Sequence, residues 1–293
     1  MKITNKLNLP QPLVEMAQSN YTPTPKRYSV SNLLKPVRQT LLERRHHNEI
    51  TVDVADMIWA LRGQATHKVL EQYGADNQLK EEYITMALSN GYTVSGRFDL
   101  YVPEEKAIND WKDTSVWRVV NKNYEDEYKQ LLYYGIILQT EYGFEVKRGK
   151  VTFLLRDHNL WKALYEKDYP KHPVHIVTFD FSPADFKRGL EEIEDKIAEF
   201  ALWEKASDND LPICTPEERY YSGDTFAVKK KNIKKALRVL NSMEEAEAWI
   251  EKNEKGDFIE ERKGINKKCI GYCRVKEFCN YYLENIKNKE VSE

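Results

Sequence analysis

Long hydrophobic runs are missing from this 293-residue chain. The most apolar stretch, around Leu131–Leu138, falls far short of the ~18–20 residues a membrane-spanning helix needs. The opening Met1–Leu7 segment has no apolar core of the secretory type, so no export signal is expected. An excess of one charge is also absent. Lysine and arginine total 45 against 47 acidic residues, a net −2, which excludes a uniformly basic coat and makes any polyanion contact local. Cysteine is scarce, and four in a chain of this length do not make a disulfide scaffold. No solenoid-period repeat and no P-loop signature occur, so an ATP-driven motor would have to be a separate partner.

What is present suffices for a sizeable core. Hydrophobic residues make up 41% and charged residues 31%, with 18 tyrosines and 6 tryptophans, the balance of a folded protein and not a disordered one. The length allows one large domain or a core with an elaboration. Residues 1–28, rich in Pro, Asn and Thr, read as an N-terminal arm, residues 29–211 as the main core, and residues 212–293 as a C-terminal module.

Within the core, Met57, Ile58, Leu61, Ala65 and Val69 recur at helical spacing over Asp53–Tyr73, closed by Gly74. Strands are expected at Tyr83–Leu88, Tyr92–Val102 and Lys106–Thr114, the first two joined by the hairpin dipeptide Asn90-Gly91. A helix is expected over Glu125–Tyr142, ending at Gly143, then strands at Lys150–Arg156 and His175–Phe181. Ser182-Pro183-Ala184-Asp185 is a capping box with proline at the first helical position. In the C-terminal module, Phe226–Lys230 and Ala236–Leu240 read as strands and Met243–Lys252 as a helix, a small α+β insertion.

The most informative stretch runs from Gly96-Arg97-Phe98-Asp99 to Asp110-Trp111-Lys112. A two-residue turn at Glu104-Glu105 pairs residues whose numbers sum to 209, which sets Asp99 opposite Asp110 and puts Lys112 on the same face. Phe98, Leu100 and Trp111 then fall on the other face, toward a core. Like charges at ~4.5–5.5 Å destabilise a sheet unless a cation bridges them, and oxygen ligands suit Mg²⁺ or Mn²⁺. Ordinary surface ion pairs are the other reading of this hairpin. On the first helix Gly63, His67 and Glu71 share a face, where His67 can complete a coordination shell or be structural. On the second, Gln130 and Tyr134 stand one turn apart and can donate to a phosphate or simply pack.

Gly63-x3-His67, Gly96-Arg97-x-Asp99, Asp110-x-Lys112 and Gln130-x3-Tyr134 occur in the order and spacing of RecB-type nucleases of the PD-(D/E)XK superfamily, which the chain resembles over residues 63–134 and as far as Phe200. Asp-Trp-Lys followed by Asp-Thr-Ser-Val-Trp is similar to the phage- and prophage-encoded branch. The resemblance implies an α/β, restriction-endonuclease-like core of order αβββαβ, a mixed sheet flanked by helices. It implies that His67, Asp99, Asp110 and the Trp111 carbonyl are metal ligands, that Lys112 positions or deprotonates the attacking water, and that Gln130 and Tyr134 steady the substrate strand. The activity implied is a metal-dependent deoxyribonuclease, more an exonuclease than a site-specific enzyme, in recombination, repair or phage DNA processing. The implied partners are DNA and a recombinase, single-strand-annealing protein or helicase.

Cys269-x3-Cys273-x5-Cys279 crowds three cysteines into one segment, and Cys214 is the remaining one. The clustering points to a metal site in a reducing compartment, with the cytoplasm as the expected location. Four thiolates suit a tetrahedral zinc ion or a [4Fe–4S] cluster. A trio plus one remote cysteine, together with ligand softness, favours iron–sulfur over zinc. Some RecB-type nucleases are similar, although there the first gap is commonly x2 and the remote cysteine precedes the core. Lys229–Lys235 and Arg44-Arg45-His46-His47 are basic runs that either grip DNA backbone or form solvated faces. Two rival functions stand beside the nuclease: a catalytically silent DNA-binding or scaffold protein of the same fold, and a zinc-ribbon regulatory protein.

Overall fold

Alternating apolar residues and two strongly patterned helices organise the first of two units, Met1–Ala206 and Ser207–Glu293. The computed structural model describes residues 1–18 and 22–287. The first unit opens with β1 (Lys2–Thr4), α1 (Gln11–Ala17), β2 (Arg27–Ser29), α2 (Val30–Leu33), α3 (Val37–Arg45) and β3 (Thr51–Asp53). It continues with α4 (Val54–Leu70), β4 (Leu79–Lys80), β5 (Tyr83–Ala87), β6 (Thr93–Arg97), β7 (Leu100–Val102) and β8 (Ala107–Thr114). It ends with α5 (Val116–Val120), α6 (Glu125–Tyr142), β9 (Arg148–Leu155), α7 (Leu160–Tyr165), β10 (Val174–Asp180) and α8 (Pro183–Trp203).

A five-stranded sheet has the order β10-β9-β8-β7-β4, and a three-stranded one the order β2-β6-β5. β8 runs parallel to β9 and antiparallel to β7, so the larger sheet is mixed. The succession of α4, the hairpin strands, β8, α6 and β9 makes this an α/β fold of the restriction-endonuclease-like αβββαβ kind. Val151, Phe153, Leu131, Ile137, Ile193, Ile197 and Phe200 are fully buried where β9, α6 and α8 supply the core. Burial of each such side chain is worth roughly 1.5–3 kcal/mol. Glu125, Asp126 and Glu127 place negative charge at the N-terminal turn of α6, and Gly143 in the left-handed region ends it. Ser182 and Asp185 form the expected capping box of α8.

The β7–β8 register pairs Leu100 with Asn109, Tyr101 with Ile108 and Val102 with Ala107, the sum of 209 that the sequence suggests. The expected strand Tyr92–Val102 is not continuous. It breaks at Phe98-Asp99 into β6 and β7, while its neighbour breaks at Glu81-Glu82 into β4 and β5. The two-stranded ribbon thereby passes from the smaller sheet to the larger at one rung, where the Glu81 N–H donates to the Asp99 carbonyl at 3.0 Å. Leu100 and Trp111, expected in the core, are only half-buried and line a small cleft, whereas Phe98 is buried.

Residues 1–28, read above as an arm, contribute a strand, a helix and a second strand among those described. β1 pairs in parallel with β3, and Ala17 of α1 joins Val54, Met57 and Leu61 of α4 in one apolar cluster. The Arg44–His47 run is structural in part: Arg44 donates to the carbonyls of Thr24 and Arg27 and lies over the Tyr28 ring, and Arg45 donates to those of Trp203 and Glu204. Among the described residues no helix is long and apolar enough to cross a membrane.

The second unit contains β11 (Thr225–Lys230), β12 (Ile233–Leu240), α9 (Met243–Asn253), β13 (Phe258–Arg262) and α10 (Lys267–Gly271), with sheet order β12-β11-β13. Strand β13 was not anticipated, because its Phe-Ile-Glu-Glu-Arg sequence is mostly charged; Glu260 is held by Lys229 at 2.6 Å. Lys230, Lys231, Lys234 and Lys235 are exposed around the β11–β12 turn.

Candidate metal centre

Three elements meet at the break in the ribbon. Asp53 caps the N-terminus of α4 by accepting from the Ala55 N–H, and the helix carries His67 in its last turn toward the hairpin. Gly63, His67 and Glu71, on one helix face, line a cleft of about 560 Å³ together with Glu81. His67 Nδ1 lies 3.2 Å from Asp99 Oδ1 and 3.3 Å from Glu81 Oε1. The other Asp99 oxygen, Oδ2, accepts from the Trp111 N–H at 2.8 Å, which ties this corner to β8. The hydrogen bond to Asp99, more than the Glu81 contact, raises the imidazole to about 9, against the opposing pull of burial. Burial and then the Asp99 charge push the Glu81 carboxyl up.

Along β8, Asp110 and Lys112 face α6, and Asp113 faces α4, where Arg62 pairs with it at 2.7 Å. Asp110 is 3% exposed. Its Oδ1 accepts from Lys112 Nζ at 3.0 Å; Oδ2 is 2.9 Å from the same nitrogen but not in hydrogen-bonding geometry, and this buried oxygen has no hydrogen-bond partner. Burial pushes the Asp110 carboxyl up to about 6, which Lys112 partly offsets and Asp99 reinforces. Burial pulls the Lys112 ammonium down, but the Asp110 charge and hydrogen bond outweigh it, so the lysine stays charged.

Lys112 Nζ also donates to Gln130 Oε1 at 3.0 Å, and the Gln130 amide donates to the Tyr134 hydroxyl at 3.4 Å. Tyr134 is buried, and that burial pushes its phenol up to about 12. Gly96 makes room for this ring, since a Cβ there would run into it. One chain of contacts therefore joins Glu81, His67, Asp99, the Trp111 backbone, Asp110, Lys112, Gln130 and Tyr134. Glu81 is the member that sequence reasoning missed; it sits in no motif and arrives through the break between β4 and β5.

These residues fit a hard divalent cation. One ligand atom each from His67, Glu81 and Asp99 lie within 4.8 Å of one another, and ligands across a Mg²⁺-sized ion stand about 4.2 Å apart. The buried Asp110 carboxylate, ion-paired to Lys112, lies within electrostatic reach of Asp99 and His67.

The second unit gathers the cysteines. The Lys268 N–H donates to the Arg219 carbonyl at 3.0 Å and Tyr221 bridges to Asn266, which lays the segment after Cys214 beside the one leading to Cys269. All four cysteines are half-buried. Burial pushes the Cys214 thiol up to about 12, with Glu218, Cys279, Cys273 and Cys269 adding to it. The other three cysteines thus lie within electrostatic reach of Cys214.

No family model and no curated protein match the chain. Solved structures similar to it include the protein SSO0001, 15% identical over 61% of this chain and 78% of that one, with a TM-score of 0.44. A phage-related exonuclease from Haemophilus somnus 129PT is 15% identical over 57% of this chain and 70% of its own, with a TM-score of 0.29. LHK-Exo in complex with dAMP is 13% identical over 60% and 92%, with a TM-score of 0.33. At these values the likeness carries no argument about activity, which rests on the side chains.

Proposed function

We propose that the protein is a metal-dependent deoxyribonuclease, an exonuclease of DNA recombination, repair or phage DNA processing. The observation that supports this reading is the convergence of Asp99 and Glu81 on His67 Nδ1, with the buried Asp110–Lys112 pair within electrostatic reach. A plain ion pair accounts for Lys112 and Asp110. It does not account for the convergence of Asp99 and Glu81 on one imidazole nitrogen, with all three ligand atoms inside one ion's span.

His67, Asp99, Asp110 and the Trp111 carbonyl would hold the ion. Mg²⁺ or Mn²⁺ supplies charge neutralisation for a phosphodiester and a water of lowered pKa. Lys112 keeps a fixed positive charge next to Asp110, with one hydrogen bond to Gln130 that limits its rotamers. Its ammonium would donate to the attacking water and orient it. Tyr134, neutral at working pH, anchors Gln130 and remains a donor toward a phosphate oxygen. The complete Asp99, Asp110 and Lys112 set argues against a silent DNA-binding relative.

The same reading puts a [4Fe–4S] cluster on Cys214, Cys269, Cys273 and Cys279, with structural Zn²⁺ as the alternative, and a recombinase, annealing protein or helicase as partner. The Arg219 and Lys268 charges near Cys269 would offset the negative charge of a thiolate cluster. The test is incubation of linear and circular DNA with Mg²⁺ or Mn²⁺, read on a gel. Degradation of the linear form that stops in excess chelator is expected. Undiminished cleavage in chelator, or none with either ion, would refute the metal mechanism.

A further inference from the structure

We propose that Glu81 is a further ligand of the same metal centre, so that the ion is held by two acids and an imidazole from the ribbon and α4 as well as by Asp110. The inference rests on the nuclease reading only in taking the ion to be that of the DNA-cleaving site.

Three observations converge. Glu81 Oε1 shares His67 Nδ1 with Asp99, and these ligand atoms lie within one ion's span. The backbone at Glu81 is left-handed, with φ of 52°, a conformation that favours glycine and is disfavoured for a long side chain. It is held there by its own N–H on the Asp99 carbonyl and by Arg97, whose guanidinium donates to the Glu81 carbonyl at 2.9 Å. Strain of this kind persists where the surroundings over-determine it, and strand irregularities re-aim side chains beside active sites. The third observation is that the other Asp99 oxygen is tied to the Trp111 N–H at 2.8 Å, which holds Oδ1 toward the His67 nitrogen that Glu81 shares. Both strands of the ribbon thus break at one rung, and the residue at each break is an acid turned to the same imidazole.

A carboxylate-rich set with one imidazole suits Mn²⁺ at least as well as Mg²⁺. Glu81→Gln keeps the shape and a hydrogen-bond acceptor for His67 but removes the charge. Glu81→Gly removes the side chain and suits the left-handed backbone. Mn²⁺ alone, without DNA, is titrated into the full chain by calorimetry and by its paramagnetic resonance signal, and melting is followed without metal. For both variants we expect Mn²⁺ binding weakened at least about 10-fold. For Glu81→Gly we also expect a metal-free melting temperature at or above that of the wild type, because the strained conformation is relieved. Wild-type Mn²⁺ affinity in both variants, with Asp99→Asn losing it, overturns the role of Glu81 and leaves the nuclease reading intact. A wild-type protein that binds no Mn²⁺ overturns both.

Discussion

Replacing Lys112 by alanine separates catalysis from folding at this site. The change deletes the cation that lies about 3 Å from both Asp110 oxygens. Breaking a buried ion pair typically costs about 3–5 kcal/mol, because a charge is left alone. Asp110 has an escape. Burial pushes its carboxyl up to about 6, so taking a proton at pH 7 costs on the order of 1 kcal/mol, and less once Lys112 is gone. That keeps the penalty from the orphaned acid on the order of 1 kcal/mol, or about 2–4 °C in melting temperature for a unit of this size. Turnover should fall far more, about 10²–10³-fold, as for loss of one preorganised electrostatic group. The assays are metal-free melting, DNA affinity in Ca²⁺, and cleavage of linear DNA in Mn²⁺, all at pH 7. Cleavage at the wild-type rate means the active site is elsewhere. A melting loss well beyond about 4 °C means that Asp110 stays charged and the protonation argument is wrong.

His67 links the site to pH. Its raised value of about 9 means its stabilising pairing with Asp99 is complete below about 6.5, the unfolded value, and is lost as pH climbs through 9. Metal-free protein should therefore melt earlier at pH 9.5 than a His67→Gln variant's own pH trend accounts for, and Mn²⁺ affinity should rise up to about tenfold per pH unit between 7 and 9, since binding expels that proton; a flat affinity profile would mean His67 is not a ligand. Cys273→Ser should release bound metal and lower the melting temperature of the second unit, with iron and zinc content deciding between cluster and zinc. One zinc and no iron in the wild type reverses the iron–sulfur assignment. Gly96→Ala should cost about 1–3 kcal/mol in stability, because the added methyl meets the Tyr134 ring; unchanged melting contradicts the packing described.

Parts of this molecule can be read directly from the sequence, and parts cannot. Helix α6 has the bounds the apolar periodicity indicates, with its acidic first turn and terminal glycine as local signals. The hairpin register follows from the Pro103–Lys106 turn and the alternation of Ala107–Thr114, so the neighbourhood of Asp99, Asp110 and Lys112 was accessible. The break at Phe98-Asp99 was not, because Thr93–Val102 has unbroken strand character and the kink is imposed by two sheets diverging. Glu81 was hidden for the same reason: its approach to His67 is a product of tertiary bending, with no spacing rule behind it. Likewise α1 and β1 are too short to announce themselves and depend on Val54, Met57, Leu61 and the β3 edge for their order.

Strand β8 has a hydrogen-bonded neighbour along each edge, antiparallel β7 and parallel β9. A single residue inserted or deleted between Ala107 and Asp110 would therefore rotate every later side chain by half a turn. Asp110 and Lys112 would move to the face of Arg62, and Asp113 would be carried toward Gln130. A change of length is safer past the end of the strand, beyond Thr114. Loop grafts, tags and circularly permuted ends placed there should leave the chemistry untouched, while the same edits a few residues away would erase it without unfolding the sheet.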